Sequence, residues 1–201
     1  MSAQSVRRHF QEYDVALERL KSTVRSAGHV IPCKSGCDAC CYDLPLVFDI
    51  EMSPLIDRIK KMPKDEQMRV QARVHGWLLS MKTAGIDPFS SNPDKAVLQA
   101  YHQAHIACPL LDRENHVCTV YEDRPLACRG HYIVNETPEA CKRGIHEADI
   151  SCLNVNEINL AFGESIHADR MDELPKGAVF TVTMGMLGTM LAALWKEVVK
   201  P

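Results

Sequence analysis

A short segment near the start of the chain carries four cysteines, Cys33, Cys37, Cys40 and Cys41. Thiolates so close together repel one another unless a shared cation holds them, so the spacing indicates a metal centre. If the segment is helical, the four sulfurs lie on one face, and if Gly36 opens it into a loop, the backbone can still turn them toward one point. In either conformation the segment is a candidate metal-binding site.

Five further cysteines lie later in the chain: Cys108, Cys118, Cys128, Cys141 and Cys152. Two short apolar runs on either side of the polar turn 112–115 predict a β-hairpin. Pairing of its strands would bring Cys108 and Cys118 close together. We therefore expect both groups of cysteines to meet around a shared inorganic centre.

The alternative to a metal centre is a disulfide framework. Arg7 and Arg8 are followed by Gln11, Glu12 and Asp14 rather than by an apolar segment, so this region does not resemble a secretory signal. We therefore expect a cytoplasmic protein whose cysteines stay reduced. Clustered cysteines in a reducing compartment are more often metal ligands than cystines.

The composition is that of an ordinary globular protein, with 201 residues of which 46% are hydrophobic and 24% charged. A chain of this length can bury a sizeable core, so we predict a single domain over 1–201. The net charge of -3 argues against a general affinity for nucleic acid. The sequence has no phosphate-binding glycine loop, nucleophile elbow or paired acid-base motif, so it assigns no catalytic residue and leaves open whether the protein is an enzyme.

The scaffold that must position these cysteines is predicted to be mainly α. Residues 3–25 carry apolar side chains at alternating steps of four and three, which is the pattern of an amphipathic helix, and Gly28 ends it. Residues 155–168 predict another helix. The expected fold is a helical scaffold around a cysteine-rich metal-binding core with one short β-hairpin.

The stretch 52–106 is predicted to be a helical insertion between the two groups of cysteines. A capping serine before a proline at 53–54 opens one helix, a second helix covers 64–83, and a third runs from 92 to about 106. The side chains expected to face inward from the second of these are Met68, Trp77, Leu78 and Met81.

Residues 178–199 predict an apolar C-terminal helix after a proline and glycine break at 174–177. Its uncharged stretch is long enough to raise a membrane span, but threonine and glycine dilute its hydrophobicity. Small residues recur at every fourth position, which suits close helix packing: Thr181, Gly185, Thr189 and Ala193. We therefore expect a core helix or the seam of a homodimer, with membrane insertion as the alternative.

Polar residues beside the second cysteine group are candidates to support a bound metal. Arg124 and Arg129 could offset the negative charge of a thiolate-bound cluster, and Tyr121 could donate a hydrogen bond to a sulfur. The alternatives are a surface ion pair with Glu122 or Asp123 for the arginines and packing in the hairpin for the tyrosine.

Two histidines and one acid also lie near the cysteine segments. His102 and His105 stand three residues apart and shortly before Cys108, a spacing that zinc ligands can have, although polar residues on a helix surface are the commoner case. Glu51 follows the first cysteine segment and could orient a ligand. Capping of the helix that begins near Pro54 is its simpler role.

The cysteine spacing resembles that of the YkgJ-like cysteine-cluster family, which is described as zinc- or iron-chelating and is related to the cluster region of flagellin lysine N-methylases. The residues that carry the resemblance are Cys33, Cys37, Cys40, Cys41, Cys108, Pro109, Leu110, Leu111, Cys118, Tyr121, Arg124, Pro125, Cys128 and Arg129, with Cys141 as the eighth family cysteine. Cys152 is an extra one, and Glu51 matches a family acidic position. The resemblance implies a bound metal more strongly than it implies an activity.

The crowding of thiols in one loop favours a polynuclear iron-sulfur cluster, expected to be [4Fe-4S], over a single zinc ion bound by paired knuckles. Zinc is the alternative metal, and eight cysteines could also serve two sites. The spacing of Cys33, Cys37 and Cys40 matches the cluster triad of radical S-adenosylmethionine enzymes as well. That class has an aromatic residue where this chain has Ala39, and the chain is short for a β/α barrel.

Three functions are open on this basis. The first is a cytosolic metal-binding protein whose iron-sulfur centre works in redox chemistry or metal handling. The second is a cluster-dependent modification enzyme resembling the flagellin lysine N-methylases. The third is an interaction module that zinc stabilises.

Overall fold

The computed structural model describes residues 1–34, 36–90, 93–142, 151–173 and 184–198. Within these ranges the chain forms eight α-helices and two antiparallel ribbons of two strands each. The helices are α1 Ala3–Ser26, α2 Met52–Lys60, α3 Lys64–Thr83, α4 Lys95–Gln103, α5 Leu126–Arg129, α6 Pro138–Cys141, α7 Asn156–Glu173 and α8 Leu187–Val198. The strands are β1 Leu46–Phe48, β2 Leu111–Asp112, β3 Val117–Cys118 and β4 Met184–Met186. The predicted mainly α fold is confirmed.

Helix α1 confirms the amphipathic pattern at the start of the sequence. Val6, Phe10, Tyr13 and Leu17 are buried on one face, and the helix packs against α2 and α7. The Phe10 ring stacks on Phe162 of α7, with centroids 5.9 Å apart. Burial of this face holds the amino end of the chain on the domain.

Helix α3 has the predicted bounds. Trp77 and Met81 are buried as predicted, and Leu78 packs beside them partly buried. The inward orientation expected for Met68 is wrong, because its side chain is 63% exposed. Gln67, one residue earlier and about 100° around the helix, takes the buried position instead.

The first turns of α2 and α4 differ from the prediction. Ser53 lies inside the first turn of α2 and donates its hydroxyl proton to a backbone carbonyl, so it is not the helix cap. Helix α4 begins at Lys95, and the Asp94 carboxylate caps it by accepting a hydrogen bond from the Val97 N–H at 2.9 Å. Residue 92, where we expected this helix to open, lies outside the described residues. Both predicted helices are present, and only their beginnings are displaced.

The C-terminal helix begins later than predicted. Strand β4 pairs with β1, with Met186 opposite Leu46, and helix α8 starts only at Leu187. Residues 184–186 are extended because their backbone groups find partners in β1. The predicted break and the first part of the predicted helix, 174–183, lie outside the described residues.

Helix α8 packs on α3 within the same chain. Leu187 and Leu191 are buried, and a Cβ atom on Gly188 would lie 2.4 Å from the Trp77 ring. Glycine therefore lets the indole contact the helix backbone. Gly188 thus serves packing inside the chain, whereas of the predicted small-residue stripe Gly185 lies in β4 and Ala193 is exposed. The homodimer stays a prediction. In the described ranges, every helix is too short or too polar to cross a membrane.

Candidate metal centre

One cavity of about 480 Å³ collects the predicted cysteines. Its wall includes all eight residues predicted as ligands: Cys33, Cys37, Cys40, Cys41, Cys108, Cys118, Cys128 and Cys141. Cys152 is exposed and is not among the residues that line the cavity. All nine cysteines are free thiols. The fold therefore brings the two distant cysteine segments together.

The first cysteine segment is a loop followed by one turn of 3₁₀ helix at Ala39–Tyr42. Gly36 has a φ of +82°, in the left-handed region that glycine adopts without steric cost, so the backbone turns there. The Cys37 N–H donates a hydrogen bond to the Lys34 carbonyl at 3.2 Å. These turns bend the segment around the cavity, and the loop conformation is the one that the structure selects.

The second segment joins the first through a backbone hydrogen bond. The Cys108 N–H donates to the Cys41 carbonyl at 2.7 Å. The predicted hairpin follows and is confirmed, with β2 and β3 antiparallel. Cys118 faces Leu111 in this ribbon, and Cys108 precedes the strands. The two cysteines therefore lie near each other through the tight turn before β2 and are not a cross-strand pair.

Two short helices carry the remaining cysteines of the cavity. Cys128 lies in α5, where its N–H donates to the Pro125 carbonyl at 2.9 Å. Cys141 is the last residue of α6, which packs against the 3₁₀ turn Ala39–Tyr42. Both helices are single turns, so their positions depend on contacts with the rest of the domain.

Glu51 supplies one of these contacts. Its side chain is buried, and its carboxylate accepts hydrogen bonds from the Leu126 N–H at 2.6 Å and from the Phe48 N–H at 2.8 Å. Burial raises the pKa of Glu51 to about 7, and the two hydrogen bonds and the charge of Arg129 oppose that rise. Glu51 therefore ties α5, which carries Cys128, to the end of β1. Its side chain does not cap α2.

Burial and neighbouring thiols control the protonation of the cysteines. Burial raises the pKa of Cys108 to about 12, with a further rise from Cys118, and burial likewise raises the pKa of Cys128 well above its usual value. A hydrogen bond between the Cys40 and Cys41 thiols lowers the pKa of Cys40 and raises that of Cys41. The thiols with raised pKa hold their protons at neutral pH, so a metal that binds them must displace those protons.

Arg124 and Tyr121 both line the cavity. The Arg124 guanidinium lies 4.0 Å above the centre of the Tyr121 ring. Burial raises the pKa of Cys118 and of Cys128, and the Arg124 charge opposes both rises. Arg124 is therefore placed where it can stabilise negative charge on these sulfurs, while Tyr121 supports it through a cation-π contact.

Arg129 has different surroundings and does not line this cavity. Its side chain is 3% exposed and donates to the Asp14 carboxylate at 2.5 Å and to the Glu122 carbonyl. The Phe10 ring lies 4.2 Å from its guanidinium carbon. Arg129 thus joins α5 to α1, and its ion-pair partner is Asp14, not the Glu122 or Asp123 carboxylate that the sequence indicated.

Arg73 on α3 is a residue beside the cavity that the sequence did not indicate. Its Nε–H donates to the Pro109 carbonyl at 2.9 Å, next to Cys108. Its charge opposes the rise that burial causes in the pKa of Cys108 and Cys118. Among the described residues no hydrogen-bond partner is found for its buried Nη2. Helix α3 carries several basic residues, so no sequence signal singles Arg73 out.

The two candidate histidines contact other residues and do not line the cavity. The His102 Nδ1 lies 2.9 Å from the Asp43 carboxylate, and its Nε2 lies 2.9 Å from the Lys142 carbonyl. Both partners can accept a hydrogen bond from an imidazole N–H. His105 stacks on Tyr42 with centroids 4.0 Å apart. The structure therefore favours the helix-surface alternative over zinc ligation by this pair.

The donor set fits a metal that prefers sulfur. Eight cysteines line one cavity, and thiolates select zinc or iron-sulfur clusters over Mg²⁺ or Ca²⁺. Among the described residues, no group of three or more His, Cys, Asp or Glu side chains is arranged to hold a metal ion as it stands. Binding therefore requires the thiols to lose their protons and to come closer together than they lie in this structure.

Comparison with known families identifies the chain. The model of the CxxCxxCC family, described as "Putative zinc- or iron-chelating domain", matches residues 32–152. This range is more than half of the chain and contains all nine cysteines. Comparisons with curated proteins and with solved structures find no match. The chain therefore belongs to the CxxCxxCC family, which is also called YkgJ-like, and the family description assigns chelation of zinc or iron to the range that holds the cavity.

Proposed function

We propose that the protein is a cytosolic iron-sulfur protein in which cysteines of this cavity hold a [4Fe-4S] cluster for redox chemistry or metal handling. One observation carries this proposal: cysteines from two distant segments line a single cavity of about 480 Å³. The irons of a cluster are spread over several ångströms, so its ligands surround a volume and not a single point. Thiols distributed along a cavity wall suit that requirement better than they suit one tetrahedral ion.

Positive charge beside the cavity supports an anionic centre. A cluster with four thiolate ligands carries net negative charge, and hydrogen bonds and nearby charges tune its reduction potential. Arg124 lies on the cavity wall, and Arg73 contacts the backbone next to Cys108. When bound, the cluster would accept and release single electrons, and the two guanidinium groups would stabilise the more negative, reduced form.

A cluster-dependent modification enzyme is the second candidate function. The cavity wall continues from the cysteines onto apolar residues, which include Leu44, Pro45, Val117 and Leu187. A small molecule could therefore lie beside the metal, as an enzyme requires. This function also needs one metal position that cysteine does not close.

Metal analysis and a visible spectrum of the anaerobically purified protein test the proposal. We expect a brown protein with iron and acid-labile sulfide in equal amounts and an absorbance that bleaches on reduction. A colourless protein that contains only zinc and unfolds on chelation would contradict it and would support a zinc-stabilised interaction module. A change in the electron paramagnetic resonance signal on addition of cyanide would reveal an open iron position and favour the enzyme.

A further inference from the structure

Eight cysteines around one cavity are twice the number that one tetrahedral zinc ion or one [4Fe-4S] cluster binds. Either half of them are not ligands, or the cavity holds more than one centre. The packing of the cysteines against the rest of the fold separates these possibilities.

One group of cysteines packs with the main apolar core. Cys108 belongs to this core, and Cys41 and Cys118 pack against it. The backbone hydrogen bond from Cys108 to Cys41 joins the two segments within this group. Cys128 lies on α5, which contacts β1, and Val47 of β1 belongs to the same core. We call Cys41, Cys108, Cys118 and Cys128 the core set.

A second group packs around a separate apolar cluster. Cys141 is buried there with Ala39 and Ile133, and Cys33 and Cys37 pack against them. Helix α6, which ends at Cys141, contacts the 3₁₀ turn that carries Cys40. Burial and then the thiols of Cys33, Cys40 and Cys37 raise the pKa of Cys141 to about 12. We call Cys33, Cys37, Cys40 and Cys141 the loop set.

The adjacent pair Cys40 and Cys41 lies at the boundary between the two sets. In a 3₁₀ turn, successive side chains point about 120° apart, so neighbours can face different sides. The thiols that raise the pKa of Cys41 are Cys40 and the core-set members Cys108 and Cys128. The Cys40 thiol contributes to the raised pKa of Cys108 in the core set and of Cys141 in the loop set. Cys41 packs against the main apolar core, whereas Ala39, next to Cys40, is buried with Cys141, so we assign Cys40 to the loop set.

We propose that the cavity holds two metal centres, one bound by the core set and one by the loop set, so that adjacent Cys40 and Cys41 ligate different centres. The inference rests on the proposed function only in that thiolates hold the metal. It applies equally to two clusters, two zinc ions or one of each. The adjacent cysteines then have a clear role, since one turn of backbone supplies one ligand to each of the two sites.

Native mass spectrometry of the anaerobically purified full chain, together with metal and sulfide analysis, counts the centres. We expect two centres in the wild-type protein. Cys118→Ser removes a core-set ligand and Cys37→Ser removes a loop-set ligand, so each variant should lose about half of the bound metal. The two variants should retain different spectra. Cys152→Ser, which changes a cysteine outside the cavity, should retain both centres.

A single centre in the wild-type protein would overturn the inference without help from any variant. So would a variant that stays folded by circular dichroism yet loses all of its metal, or a Cys37→Ser protein that keeps both centres. Two zinc ions per chain without sulfide would contradict the iron-sulfur function and support the two centres. One iron-sulfur cluster per chain would support the iron-sulfur function and contradict the two centres. Loss of the core-set centre in Cys40→Ser would overturn the assignment of Cys40.

Discussion

The core set and the loop set line the same cavity but are held in different ways. Around the core set, Arg73 contacts the backbone next to Cys108, and buried Glu51 positions the helix of Cys128. Around the loop set, an exposed contact joins Asp38 of the loop to His116 of the hairpin at 2.8 Å. Buried hydrogen bonds are costly to break, whereas exposed ion pairs contribute little. The helix of Cys128 is therefore held by a buried hydrogen bond, whereas the contact between the first cysteine loop and the hairpin is exposed.

The charges near the two sets differ as well. Arg73 and Arg124 both oppose the rise that burial causes in the pKa of Cys118, in the core set. Asp43 adds to the rise that burial causes in the pKa of Cys141, in the loop set. Arg124 also favours the thiolate of Cys40 by lowering its pKa, and Lys21 and Lys34 line the cavity, so the charges that distinguish the sets are Arg73 and Asp43. We therefore expect a metal bound by the core set to be released more slowly than a metal bound by the loop set.

Removal of one ligand from each set gives the largest expected effect. We expect Cys108→Ser to lower the free energy of unfolding by about 5 kcal/mol, since a structural metal site supplies roughly 10 kcal/mol or more and three sulfurs remain. Cys33→Ser should lower it by about 2 kcal/mol, because a surface loop can rearrange or open locally. Anaerobic denaturant unfolding measures both. Equal losses would show that the two sets do not differ in their contribution to stability.

Glu51→Gln tests the anchor of the core set. The amide keeps one acceptor oxygen but places an N–H donor against a backbone N–H. We therefore expect the free energy of unfolding to fall by about 3 kcal/mol at pH 5. Glu157→Gln, at an exposed position of α7, is the matched control and should change stability by less than about 0.5 kcal/mol.

The pH dependence of the same variant gives a second test. Burial raises the pKa of Glu51 from 4.5 to about 7, so between these values the folded protein binds more protons than the unfolded chain. The stability that Glu51 contributes is therefore fully present below pH 4.5 and is lost as the pH rises through 7. The difference in unfolding free energy between wild type and Glu51→Gln should narrow by about 3 kcal/mol over that pH window. A constant gap in unfolding free energy from pH 4.5 to 8 would show that the pKa of Glu51 is not raised.

Arg124→Gln tests the difference in charge. Removal of a positive charge disfavours the reduced, more negative cluster, so we expect the higher of two reduction potentials, or the only one, to fall by about 50 mV. Redox titration followed by visible absorbance measures the shift. Arg113→Gln, at the exposed hairpin tip, is the control. A shift of the same size in the control would mean that the general charge of the protein, and not the position of Arg124, sets the potential.

His116→Ala has the smallest expected effect. Its contact with Asp38 is exposed, so the free energy of unfolding should change by less than about 0.5 kcal/mol. The rate at which a chelator removes metal from the loop set should rise severalfold, since the hairpin then no longer holds the loop. The rate at which the chelator removes metal from the core set should stay the same. Faster release from both sets would show that the hairpin tip controls access to the whole cavity.

The parts of the fold that were predictable from sequence depend on neighbouring residues. Helix α3 has its predicted bounds, and the hairpin follows from a polar turn between apolar runs. One error has a local cause and another arises from a distant strand. Met68 faces solvent because Gln67 takes the buried site, and residues 184–186 are extended because β1 offers them backbone partners.

The sequence by itself determined the number and spacing of the thiols, and with them the class of metal that the protein can bind. This was possible because ligand chemistry belongs to the residue type and survives any local conformation. Only the tertiary structure decided which sulfurs are neighbours, that Arg73 lies beside Cys108, and that Arg129 joins α1. These contacts link residues far apart in the chain and depend on which helix faces meet, which no local pattern encodes.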